Sequence, residues 1–394
     1  MKFEKMKITD LISEISMGPF GSNIKVECFV NKGIPVLNGS NLDGFVLKED
    51  SFRYVTSDKA DSLGKANAHR GDVVITHRGT LGQIVFIPQN SLYDRYVISQ
   101  SQFRVRCNDK ILPEYLVYYF HTRIGQHKLL SNASQVGVPA LARASTTFQK
   151  IEIEVPELKN QRKIVNLLET IRQKIEINNS INENLQAQAQ AMFKNLIANI
   201  QKQVPFTSVI QVLGGGTPKT SKQEYWNGEI PFFTPKDVGT PYALTTEKNI
   251  TPLGLDNCNS RLYPIDTVFL TARGTVGKVS LAGIPMAMNQ SCYALLGKNE
   301  LHPIVVYHYV LETVNALKHK ASGAVFDAII TRDFDAEYVP ELSSEQINNF
   351  VSLAEPMYAD ILNRTTENQR LAALRDTLLP KLMNGEIDLS NLDL

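Results

Sequence analysis

A chain of 394 residues is too long for one ordinary domain and suits two to four. Its 43% hydrophobic and 21% charged residues are the mix of a soluble globular protein, and no apolar run is long enough to span a membrane. Lys and Arg (41) nearly cancel Asp and Glu (40), so bulk charge lends no support to a nucleic-acid partner, although a local basic face is still open.

The opening MKFEKMKITD lacks the apolar core of a secretory signal. Cys28, Cys107, Cys258 and Cys292 lie far apart with no CxxC pair, which argues against a zinc site and for the reducing cytoplasm. In chain order, Val73-Val74-Ile75 and Ile84-Val85-Phe86 then predict strands flanking a turn, Thr76-His77-Arg78-Gly79-Thr80-Leu81-Gly82. Pro113 to Phe120 opens a helix. From about Asn160 to Ile200 there is no proline or glycine. Ile164, Leu168, Ile171, Ile175, Leu185, Met192 and Leu196 follow a three-four spacing there, predicting a helix of roughly 60 Å. Asn178 and Asn182 occupy its seam, as polar register markers do.

The same order then returns. Val268-Phe269-Leu270 and Val279-Ser280-Leu281 flank Thr271-Ala272-Arg273-Gly274-Thr275-Val276-Gly277, and His302 to Leu317 answers the earlier helix. Gly33-Ile34-Pro35 matches Glu229-Ile230-Pro231, Gln100-Ser101 matches Gln290-Ser291, and Val155-Pro156-Glu157-Leu158 matches Val339-Pro340-Glu341-Leu342. A second long helix starts at Ser343, which has capping-box spacing to Gln346. It runs through Ile347, Val351, Ala354, Met357, Ile361, Leu371, Leu378 and Leu382, with Pro380 interrupting it late and Asn384-Gly385 as its stop. The displacement of roughly 185–195 residues is far beyond a solenoid period and denotes a duplicated domain.

The two helices align without a gap: Ile175 with Ile361, Asn182 with Asn368, Leu185 with Leu371, Leu196 with Leu382. So long a helix needs a partner for its apolar seam, and its duplicate is the obvious one. If a pseudo-twofold axis relates the copies, the pair is antiparallel. The expected fold is therefore α+β: two homologous mixed α/β domains joined by two long helices packed as an antiparallel coiled coil. The boundaries are 1–155 for the first domain, 156–202 for the first helix, 203–340 for the second domain, 341–386 for the second helix and 387–394 for a C-terminal tail.

Two variable globular units, each followed by a similar long helix, resemble the layout of type I restriction–modification specificity subunits. Gln161-Arg162-Lys163-Ile164-Val165 after the first Val-Pro-Glu-Leu, the two Arg-Gly-Thr-x-Gly turns, and Leu378-Leu379-Pro380-Lys381-Leu382-Met383-Asn384-Gly385-Glu386-Ile387 are similar to that family's signatures. The resemblance covers essentially the whole chain. It implies two target-recognition domains, each reading one half of a split site in double-stranded DNA. It also implies that the paired helices fix the gap and dock two methyltransferase (modification) subunits, which motor-nuclease (restriction) subunits join. S-adenosylmethionine, ATP and Mg would be held by those partners, with no cofactor in this chain. Two reading heads on one duplex must be spaced in phase with its repeat of about 34–36 Å, which a rigid coil can set.

Arg78-Gly79-Thr80 and Arg273-Gly274-Thr275 join strands by tight turns; an arginine beside a hydroxyl suits phosphate or guanine, and a turn serving only the fold is the plainer alternative. Residues identical in both copies cannot distinguish two different half-sites. Arg78, Thr80, Arg273 and Thr275 are therefore assigned to phosphate positioning. Base readers belong where the copies differ: Ser22, Asn38, Ser40, Asn41, His77, Gln100 and Arg143 in the first, and Lys219, Thr220, Ser221, Lys236, Asp237, Lys278, Asn289 and Arg332 in the second. Each also fits a solvated loop. Gly214-Gly215-Gly216-Thr217-Pro218-Lys219-Thr220 lacks phosphate-loop spacing and has no strong strand before it, so a glycine loop nearing DNA backbone, or a flexible entry turn, fits better. Tyr93, Tyr96, Tyr115, Tyr118 and Tyr119 are read as packing rather than base-stacking residues.

No cofactor-binding glycine loop with an Asn/Asp-Pro-Pro-aromatic tetrapeptide is present, nor HExxH, a Walker loop or GxSxG, so no catalytic or metal-binding residue is assigned. Two alternatives stay open: a coiled-coil adaptor whose heads bind protein or glycan, and a nuclease with a dispersed site.

Overall fold

In a computed structural model describing residues 1–134, 137–320 and 328–390, without the side chain of Ser22, the repeat in sequence is a repeat of topology. In the first copy Asp72–Thr76 pairs antiparallel with Ile84–Phe86 and Gln102–Cys107, and the latter pairs with Ile12–Met17. In the second, Val268–Thr271 lies between Val279–Ala282 and Cys292–Gly297, which pairs with Ile210–Gly214. Tyr242–Ala243 adds parallel to Val279–Ala282, where the first copy has a single bridge from Val46 to Phe86. A second sheet repeats a parallel pairing, Val36 beside Val97 and Phe232-Phe233 beside Ala287-Met288. Each Val-Pro strand closes a ribbon: Glu152–Pro156 on Phe3–Lys7, and Tyr338–Pro340 on Gln203–Pro205.

The central strands are apolar without alternation because both of their faces are covered. Val73 and Ile75 pack in one core with the helix Pro113–His121, whereas Val74 between them packs with Leu37, Tyr96 and Ile98 beneath the second sheet. In the second copy Val268 and Leu270 face the helix Pro303–Lys320, and Phe269 faces Phe233, Tyr263 and Met288. Each such buried side chain contributes about 1.5–3 kcal/mol. Tyr96, Tyr115, Tyr118 and Tyr119 are core residues of the same kind.

The long helices are Leu158–Ile197 and Ser344–Met383. Pro380 does not interrupt the second, contrary to expectation: the helix passes through both Pro356 and Pro380, which lie on its exposed side, where water can satisfy the carbonyls they leave unbonded. It stops at Asn384-Gly385, where Gly385 takes φ 78°.

The chain forms two compact units, Met1–Gln173 with Leu371–Leu394, and Lys174–Arg370. In the first, Ile164 and Leu168 share a core with Leu379, Leu382 and Met383. In the second, Ala189 and Phe193 meet Phe350, Ala354, Tyr358 and Ile361. Numbers rise along one helix as they fall along the other, so the pair is antiparallel. Within the second unit its seam turns polar. Asn178 donates to Glu367 (2.7 Å) and Asn368 (2.9 Å) and accepts from Arg364 (3.2 Å), and Asn182 donates to Thr365 (3.3 Å). Ile387 and Leu389, in the segment expected as a tail, pack into the first unit's core; residues 391–394 lie outside the described ones. Among the described residues no helix is long and apolar enough to cross a membrane.

Candidate nucleic-acid interface

In the first unit the chain leaves the sheet at Thr76 and is clamped on both sides. His77 N donates to Ser101 O (2.9 Å), while Leu141 N donates to His77 O (2.8 Å) and Gly79 N to Pro139 O (2.9 Å). Gly79 takes φ 90°, a conformation that disfavours any side chain. The amide of Gln83 accepts from Thr76 Oγ1 (3.1 Å) and donates to Gly39 O (3.0 Å), tying this turn to the one at Asn38–Asn41. Buried Gln102 accepts from Ser99 N (2.9 Å) and donates to Asn38 O (3.2 Å). Gly18 lies so close under Ser99 that a Cβ there would sit 1.9 Å from its carbonyl oxygen. Four loops, around 18–23, 38–41, 77–82 and 99–101, are thereby gathered at one edge of the sheets.

The second unit repeats the arrangement. Ala272 N donates to Ser291 O (2.8 Å) and Ile329 N to Ala272 O (3.0 Å); Thr275 Oγ1 reaches Pro235 O (3.4 Å); Gly215 lies under Asn289 O as Gly18 lies under Ser99. Gln126 caps Gly82 O in the first unit and Lys318 caps Gly277 O in the second, each at 2.9 Å.

What these turns offer to a ligand is cationic and hydroxylic. Arg78, Thr80, Arg273 and Thr275 are exposed, and neither arginine has a carboxylate partner among the described residues. His77 Nε2 is 3.1 Å from Gln100 O, which can only accept, so the ring donates there and keeps Nδ1 as an acceptor. Burial, reinforced by the charge of Arg78, lowers the His77 pKa and favours this neutral form.

The structure sorts the base-reading candidates. Asn38, Ser40, His77 and Gln100 come together around the first turn, and Lys236, Lys278 and Asn289 stand around the second, in the places of Ser40, Gln83 and Ser99. Asn38 and Asn289 each spend the amide oxygen on a nearby backbone N–H, leaving the NH2 group. Lys236 is held by Glu247 at 3.1 Å. Two expectations are corrected. Asn41 is fully buried, accepting from Asn38 N and donating to Lys48 O and Asp50 O. Its counterpart Asp237 accepts from Thr234 N, Thr234 Oγ1 and Glu247 N. Both cap turns instead of facing a base. Lys219, Thr220 and Ser221 are exposed beyond the glycine loop, and Arg332 is exposed on the helix Thr331–Asp335. Arg143 lines a separate groove with Lys128 and Lys150. The side chain of Ser22 lies outside the described residues.

The glycine loop is also corrected: a strand, Ile210–Gly214, does precede it. Two of its glycines serve close packing, since a Cβ on Gly215 or Gly216 would lie 2.1 Å from Asn289 O or 2.5 Å from Asn259 N. Sequence reasoning missed Phe20 and Lys65, which line one groove with His77, Arg78 and Gln100. The punctuation Gly18-Pro19-Phe20-Gly21 was the available signal for a rigid loop presenting an aromatic.

A family model described as the type I restriction modification DNA specificity domain matches residues 2–187 and again 202–346. The type I restriction enzyme HindI specificity subunit of Haemophilus influenzae is 22% identical, covering 87% of this chain and 93% of that subunit. The MjaIX specificity subunit of Methanocaldococcus jannaschii is 29% identical over 41% of this chain and 38% of that subunit. A crystal structure of the type I restriction-modification S subunit from M. genitalium shares the fold with a TM-score of 0.60 at 14% identity, covering 97% of this chain and 96% of that one. Matched twice over by one family model, the chain belongs to the type I restriction modification DNA specificity family.

Proposed function

We propose that this chain is the sequence-reading subunit of a type I restriction–modification complex, each unit recognising one half of a bipartite site in double-stranded DNA. The observation that carries this reading is the duplicated edge at which Arg78 and Arg273, without carboxylate partners among the described residues, stand on turns clamped in the same way. Arg78, Thr80, Arg273 and Thr275 hold phosphates, while the residues that differ between copies, other than the turn caps Asn41 and Asp237, read base edges. The antiparallel helices set the spacer and dock two methyltransferase subunits, which motor-nuclease subunits join in the cytoplasm. The chain itself catalyses nothing; S-adenosylmethionine, ATP and Mg are bound by those partners.

Gel shift of the chain on random duplex pools, with and without a methyltransferase subunit, tests this. Selection of a split sequence, strengthened by the methyltransferase, is the expected result. Metal-dependent cleavage by the chain alone, or no selection with the partner present, would refute it.

A further inference from the structure

Among the large apolar side chains of the described residues Phe20 is the most exposed, at 85%. The loop is tied to the sheet at Gly18 and closed by a turn in which Asn23 N donates to Phe20 O (2.8 Å). Gly18 sits under the Ser99 carbonyl, with its N–H donated to Gln102 O (2.8 Å), and a Cβ on Gly21 would lie 2.2 Å from Gln100 Oε1. Between them Pro19 restricts the backbone. The ring thus projects from a loop whose backbone is tied at Gly18 and Phe20. Around it the groove presents Lys65, Arg78, His77 and Gln100, with two cations and no carboxylate among its lining residues. A partner suited to this surface offers negative charge and flat apolar faces together, which phosphates flanking stacked bases provide.

We propose that Phe20 is an apolar wedge that inserts at a base-pair step of the half-site read by the first unit, unstacking it while Arg78 and Lys65 hold the flanking phosphates. At the corresponding position the second unit carries no aromatic side chain. Gly215 occupies the place of Gly18, which puts Thr217 in the place of Phe20, and the Thr217 hydroxyl is turned back onto the Gln290 side chain. Recognition at this loop is therefore asymmetric: the first unit's loop unstacks its half-site and the second unit's equivalent loop does not. This inference rests on the DNA-reading role proposed above.

The test uses the full chain assembled with its methyltransferase subunits, on duplexes carrying the selected bipartite site with 2-aminopurine at successive positions. Beyond the rise at the bases that the methyltransferase subunits extrude in both half-sites, wild type should give a fluorescence rise at one further step, in one half-site only. Phe20→Ala should abolish that rise and weaken binding by about 5- to 150-fold, the range for losing one aromatic–base stack. Phe20→Trp should retain both signals, and Arg78→Ala should weaken binding while keeping the rise. An unchanged thermal midpoint shows that the exposed side chain is not needed for folding. The wedge is refuted if Phe20→Ala binds within twofold of wild type, if the rise persists in it, or if it fails to assemble with the methyltransferase, which would make Phe20 a protein contact. If wild type selects no sequence, the DNA-reading role itself fails, a result separable from tight, selective binding without local unstacking.

Discussion

If the paired helices set the spacer, lengthening both by one turn must change the spacing and nothing else. Four helix-forming residues added after Ser180 and four after Thr366 enter between the Asn178–Asn368 and Asn182–Thr365 contacts, so the lengthened seam still faces itself. Each insertion adds about 6 Å and about 40° beyond a full turn. B-form DNA advances about 3.4 Å and about 34–36° per base pair. The added turn corresponds to roughly one base pair by angle and two by length. The spacer should therefore grow by one or two base pairs, with both half-sites unchanged. Seven residues would add about 10.5 Å, the rise of three base pairs, yet fall about 20° short of two turns, whereas the DNA would need over about 100°. That variant should methylate poorly at any spacer. Mapping methylated positions in DNA from cells co-expressing the methyltransferase reads the spacer directly, and gel shifts on duplexes of stepped spacer confirm it. A four-residue variant that methylates with the original spacer, or with altered half-sites, would refute the reasoning.

Arg78→Ala and Arg273→Ala should each weaken binding alike on all duplexes and lower the salt slope by about one, as expected of a phosphate contact; altered base preference in selection experiments would contradict that role. Asp72 is fully buried and bonded to Arg106 (2.8 Å) and Arg104 (3.4 Å), so Asp72→Asn should cost about 3–5 kcal/mol in denaturant unfolding, and a loss below about 1 kcal/mol would show that the network relaxes around it. His308 is buried between Gln190 (2.7 Å) and Tyr358 (3.1 Å), and burial pushes its pKa down to about 3, against 6.5 when free. The unfolded chain binds the proton first as pH falls, so this contribution is whole above about pH 6.5 and is lost toward pH 3, by about 2 kcal/mol at pH 5. Thermal melts of His308→Gln across this range should show a correspondingly shallower pH dependence; equal slopes would contradict the assignment.

Sequence spacing exposes what is periodic or repeated. The long helices follow from their three-four pattern, and the two turns from Arg-Gly-Thr recurring where glycine must take a positive φ. What it conceals depends on distant pairing. Asn41 looks like any polar loop residue until Lys48 and Asp50 supply the carbonyls that bury it. Gly18 belongs beside Ser99 only because Ile12–Met17 pairs with Gln102–Cys107. Along the first helix, Phe193 and Ala189 are buried more deeply than the expected Leu185 and Met192, because the sheet-side helix Pro303–Lys320 draws the contact face toward itself. Pro380 reads as a helix breaker because the pattern does not say which side of the helix faces water.

The partition of the chain also sets an order of assembly during translation. The unit from Lys174 to Arg370 is continuous, whereas the other draws Leu379, Leu382 and Leu389 into a core begun near Ile8. The head that leaves the ribosome first is thus the last to be completed, and must keep Ile164 and Leu168 uncovered while its sister folds. A nonsense codon shortly after Arg370 would leave the early head open to aggregation or proteolysis and the later one intact.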